Sequence, residues 1–209
     1  MKSPKLFFTS LIITTVFAGT SSAQDTTKRD TTKQVFVAIE QKPLFPGGYH
    51  AFGAYIGKNL KYPEVARLLG LEGKVFVKFI IEKDGSVSTV TPIKCLGAGC
   101  ESEAVRVIAM SPMWEPGIQQ GQPVRVQYTV PITFGFGGVR EPTYMKALRK
   151  SNYGFVFFIK GNTYSINEAE AILGKSFDPT TIETAELYDN PKYVMPDKKA
   201  VYLVVMKNS

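Results

Sequence analysis

The sequence predicts an α+β protein in which helices pack on a three-stranded antiparallel sheet, with a small β-α-β-β module after it. Three observations predict this class. Two alternating stretches meet at Asp84-Gly85, six apolar residues alternate with polar ones from Val124 to Phe134, and helical spacing appears before and between these strands.

At the start of the chain, Lys2 and Lys5 precede an apolar run from Leu6 to Gly19 that ends at Ser21-Ser22-Ala23. That is the layout of a cleavable export signal, and the run is shorter than the roughly 18–20 residues a membrane span needs. A retained inner-membrane anchor is the weaker reading. Cleavage after Ala23 takes Lys2 and Lys5 from the 25 basic residues, leaving 23 against 18 acidic and a net charge of +5. Residues 24–34 are Thr, Lys and Asp with almost nothing apolar, so they cannot repay the entropy of ordering and read as a flexible leader.

After Pro46-Gly47-Gly48, the residues Tyr49, Phe52, Ile56 and Leu60 recur at helical spacing. A second short helix follows over 62–70, with Pro63 at its first position and Gly70 as its stop. Gly73 opens a strand over 74–82 with Val75, Val77, Phe79 and Ile81 on one face, and Asp84-Gly85 turns it into a return strand over 87–94. Glu101 and Glu103 then sit in the first turn of a helix running to Met110, where acids favour the positive end of the helix dipole. Beyond Trp114-Glu115-Pro116-Gly117 comes the long alternating strand. Pro131 inside it cannot donate to a ladder, which places this strand at a sheet edge.

A basic connector leads to the second unit. Phe155 to Lys160 reads as a strand, Ser165-Ile166-Asn167-Glu168 as a capping box opening a helix that stops at Gly174, and Ile182–Tyr188 and Ala200–Met206 as two further strands. The expected division is a signal peptide at 1–23, a leader at 24–34, an α+β domain at 35–138, a linker at 139–151 and the β-α-β-β module at 152–207.

Several function classes find no support. The lysines and arginines are scattered, without the basic and aromatic interleaving that nucleic-acid binding favours. One histidine, His50, and two cysteines cannot supply a His/Cys zinc site, and no nucleophile, base and orienter stand together. No cofactor, metal or enzymatic activity is therefore expected. Cys95 and Cys100 flank Leu96-Gly97-Ala98-Gly99, and in an oxidising compartment this pair reads as a local disulfide, with free, buried thiols as the alternative.

Tyr62-Pro63, Glu72-Gly73-Lys74-Val75-Phe76-Val77, Asp84-Gly85-Ser86-Val87 and Trp114-Glu115-Pro116-Gly117, closing on the long alternating strand, together resemble the TonB C-terminal domain over Val35 to Phe136. Pro43 to Gly48 is similar to the lead-in of the Bacteroidetes branch, and the segment from Phe155 to Lys207 weakly resembles part of a TonB-dependent receptor plug. The resemblance implies a periplasmic module of energy-coupled transport that receives the TonB-box peptide of an outer-membrane receptor by β-strand addition. Pro131 limits pairing to the part of the strand before it, which places the docking ladder on Val124, Arg125, Val126, Gln127, Tyr128, Thr129 and Val130, with Tyr62 and Pro63 as either receptor contacts or a helix start. The rival reading is a structural or adaptor envelope protein with the same fold and no transport role. Pieces resembling both sides of a receptor–transducer contact also make self-association an expectation.

Overall fold

Alternation in the sequence becomes a buried face and an open face. A computed structural model describes residues 39–138 and 141–207; the stretches read as signal peptide and leader lie outside the described residues. Helices α1 (Gly48–Asn59) and α2 (Glu64–Leu68) come first, followed by the strands β1 (Gly73–Ile81) and β2 (Val87–Lys94). The turn between them uses Gly85 at φ 87°. A Cβ there would also lie 2.0 Å from the Trp114 carbonyl oxygen, so glycine serves both the turn and the close approach of the chain. Helix α3 (Cys100–Ala109) presents Ala104, Val107 and Ile108 to the core. After it come the short hairpin β3 (Gly117–Gln119) and β4 (Gln122–Val124), then the long strand β5 (Val126–Phe134).

β1 is the centre of a three-stranded antiparallel sheet, in the order β2-β1-β5. Val75, Val77, Phe79 and Ile81 of β1 and Val126, Val130, Ile132 and Phe134 of β5 are buried on the face that the helices cover.

The rest of the chain comprises β6 (Thr143–Tyr144), α4 (Met145–Lys150), β7 (Tyr153–Ile159), β8 (Asn162–Ser165), α5 (Ile166–Leu173), β9 (Ser176–Phe177), β10 (Ile182–Leu187) and β11 (Ala200–Met206). Ser165 and Glu168 form the expected reciprocal capping box. The second sheet has the order β10-β11-β7-β8, and β11 runs parallel to β7. Parallel neighbours need a crossover, and the path through β8, α5 and β10 supplies it.

One hydrophobic cluster runs from Phe45 to Met206 and joins both sheets. The junction is specific. Thr143 Oγ1 donates to the Leu69 carbonyl at 2.8 Å, Tyr153 donates to Glu64 Oε2 at 3.0 Å, and the Ala98 N–H donates to the Ala185 carbonyl on β10. The segment 139–151, read above as a linker, thus contributes Thr143, Met145 and Leu148 to buried positions. Pro63 is the N-cap of α2 rather than its first helical residue, with extended backbone at φ −61°, ψ 138°.

Candidate peptide-docking edge

β5 pairs with β1 over nine consecutive residues, from Gly73↔Phe134 to Ile81↔Val126, without a register shift. Its other side has no strand neighbour among the described residues. β2, at the opposite edge, is a poorer template: its register shifts twice, Thr89 takes φ 52°, and Pro92 interrupts its donors. The long regular edge is β5.

Pro131 indicates which groups face outward. The register runs unbroken through it, and a residue without an N–H fits a ladder only where that position points away from the partner. Backbone groups alternate sides along a strand. Gln127, Thr129 and Thr133 therefore share the outward direction of Pro131, and their side chains are exposed on the face away from the core. The row without a strand partner among the described residues consists of three N–H donors and four carbonyls, Pro131 contributing only its carbonyl.

The expected ladder over 124–130 is not one continuous strand. Val124 belongs to β4 and pairs with Gly117, whereas Val126 begins β5. Arg125 lies between, across from Glu82 one step beyond the Ile81↔Val126 pair, with Nε–Oε2 at 2.6 Å and Nη2–Oε1 at 2.9 Å. The tight hairpin before it, with Gln120 at φ 51° and Gly121 at φ 70°, folds Val124 back onto Gly117. The Arg125 guanidinium holds the Glu82 carboxyl below its ordinary range, with Ser88 adding a further hydrogen bond.

Tyr62 and Pro63 do not join this edge at its start. The Tyr62 ring stacks on Phe136 at 4.5 Å between centroids and meets Phe134 edge-on at 5.6 Å, while its hydroxyl donates to the Leu71 carbonyl. Phe134 is the last residue of a strand roughly 27 Å long, so Tyr62 anchors the end opposite Val126. Two residues near the edge were not singled out in sequence. Tyr49 was read as part of the packed stripe of α1, yet it is 68 % exposed and its hydroxyl lies 3.3 Å from that of Tyr128. Lys78 alternates with the buried residues of β1 and lies directly across from Thr129.

Cys95 and Cys100 are free, against the expectation of a disulfide. Cys100 opens α3 fully buried, Cys95 is exposed past β2, and the loop between them follows its own course because Gly97 lies against the Ala185 backbone.

Residues 58–136 match the family model described as Gram-negative bacterial TonB protein C-terminal. The matched segment contains α2, β1, β2, α3 and the whole of β5. The solution structure of the Helicobacter pylori TonB C-terminal domain is similar at 24 % identity, with 43 % of this chain and 95 % of that one covered and a TM-score of 0.33. The Pseudomonas aeruginosa TonB C-terminal domain is similar at 27 % identity, covering 38 % of this chain and 81 % of that one, with a TM-score of 0.32. No curated protein matches the chain.

Proposed function

We propose that this protein is a periplasmic interaction module that binds TonB-dependent outer-membrane receptors by adding their extended TonB-box peptide to the free edge of β5. The observation that carries the reading is that edge: a long, regular strand within the segment that matches the TonB C-terminal family, paired on one side only among the described residues. An incoming peptide gains main-chain hydrogen bonds from Gln127, Thr129 and Thr133, each contributing a net ~0.5–1.5 kcal/mol before the cost of ordering the peptide. Moderate, reversible binding follows, which suits a contact that forms and breaks during energy-coupled transport. Neither a cofactor nor a catalytic step enters this role.

The test is an amide NMR titration of the chain with a TonB-box peptide. Perturbations concentrated on Gln127, Thr129 and Thr133 are expected, with Tyr128 and Val130, bonded to β1, moving less. Binding that leaves β5 unperturbed sinks the proposal. The C-terminal sheet shares its core with the TonB segment, which supports a second reading, an adaptor that holds a partner through the C-terminal part. In that case perturbations gather on β7 to β11.

A further inference from the structure

The strands of the three-stranded sheet contain charge of one sign, and at the end of their open face Glu82 and Arg125 neutralise each other. β1, β2 and β5 contain Lys74, Lys78 and Lys94 and no acidic residue. All three lysines belong to the face away from the core: Lys74 and Lys78 alternate with the buried residues of β1, and Lys94 pairs with Phe76, which lies between them. None of the three has an ion pair among the described residues.

Lys78 is the best placed of them. Along its own strand it stands between Phe76 and Ile80, against which its methylene stem can lie. Across the sheet it stands between Thr91 and Thr129, two short side chains that leave the ammonium unobstructed. Thr129 lies before Pro131, on the part of β5 with an uninterrupted row of donors. A peptide strand beside β5 would place one side chain next to Thr129 on this same face. A lysine side chain at that register position is long enough to bring its ammonium over Thr129 to such a residue.

We infer that Lys78 makes the β5 edge selective for extended peptides that carry an acidic side chain at the position beside Thr129. Resting on the strand-addition reading, this specifies the chemistry of the peptide that edge accepts. Lys74 and Lys94 extend the same field, so acids elsewhere on the peptide's open-face side are favoured less strongly. An exposed ion pair of this kind changes affinity by about twofold to fivefold, and salt screens it.

The experiment uses the full chain and three synthetic nine-residue peptides of alternating Val and Thr that differ only in a central open-face residue, Glu, Gln or Lys. Affinities and amide perturbations are read together at low salt and at about 1 M salt. The expected order is Glu over Gln over Lys, with Glu about twofold to fivefold tighter than Gln, converging at high salt. Lys78→Gln should abolish the preference and Lys78→Glu should invert it, while Lys146→Glu, an exposed charge on α4, should leave it intact. Equal affinities for the three peptides with β5 amides still perturbed would overturn the acidic selectivity and leave strand addition standing. A preference erased equally by Lys146→Glu would overturn the role of Lys78 in favour of bulk charge. No peptide binding at β5 would remove both readings.

Discussion

Glu82 and Arg125 tie two strand ends together: Arg125 lies between the ladder that ends at Val124 and the one that begins at Val126, and it pairs with Glu82 across from it. The Arg125 hydrogen bond keeps the Glu82 carboxyl below its ordinary value of 4.5. A depressed carboxyl contributes stability that is complete above its unfolded-state value and is lost as pH falls through the folded value. Glu82→Gln should therefore lower the urea midpoint at pH 7, by less than about 1 kcal/mol because solvent screens a partly exposed pair. The difference should shrink as the pH falls below about 4.5. A loss that stays constant through acid would count against the ion pair as its source. The two thiols give a second test at this scale. Burial pushes the Cys100 thiol up to about 12, with Glu101 adding to it. Cys95 is exposed, though burial of part of its surroundings, Glu101 and Glu186 raise it too. Alkylation of the native protein at pH 8 should add one group, at Cys95, and denaturation should expose the second. No alkylation in either state without a reductant would restore the disulfide that the Gly-rich spacer suggested.

At the scale of single elements, the outward direction of Thr129 makes a sharp prediction. Its N–H does not bond to β1, so Thr129→Pro removes a donor from the free row without removing one from the sheet. Strand-addition affinity should fall about tenfold or more, since one hydrogen bond is lost and the proline ring obstructs the next. Global stability should change much less. Tyr128→Pro should do the reverse and unfold the sheet, and urea melts beside peptide titrations separate the two outcomes. The elements that could be read from sequence are those whose cause is local. Val87–Lys94 and Ala200–Met206 have the bounds their apolar patterns give, and Ser165 with Glu168 announces α5 by itself. The elements that could not be read depend on distant partners. Gln41 pairs with Ile118 and Leu44 with Glu115, an extended segment laid against a hairpin more than seventy residues away. No window around Gly117 contains that information. For the β5 edge, Pro131 marked the strand as an edge, but the break before Val126 required knowing that Val124 pairs back with Gly117.

For the whole molecule, the question is whether the three-stranded sheet and the C-terminal sheet behave as two bodies or one. The sequence divides them at a basic, glycine-flanked stretch, and residue pattern alone does not show that Thr143, Met145 and Leu148 are buried. The junction is backbone on backbone at Gly97, whose φ is 88° and where a Cβ would lie 2.6 Å from both the nitrogen and the oxygen of Ala185. Only glycine lets the loop before α3 meet β10 so closely, and Ala98 then hydrogen-bonds the Ala185 carbonyl. Gly70, at φ 66°, is a second close approach between the two sheets' elements, with a Cβ 2.7 Å from the Pro179 ring. Gly97→Val should cost about 2 kcal/mol through positive φ and steric overlap. In a unit of this size that corresponds to roughly 4–8 °C in Tm. Because one apolar cluster crosses the junction, calorimetry should show the variant melting in one transition displaced downward, with β1 and β11 amides losing hydrogen-exchange protection together. Two resolved transitions, with only the C-terminal one displaced, would mean that the halves fold independently, and the sheet carrying the docking edge would then be a self-sufficient module.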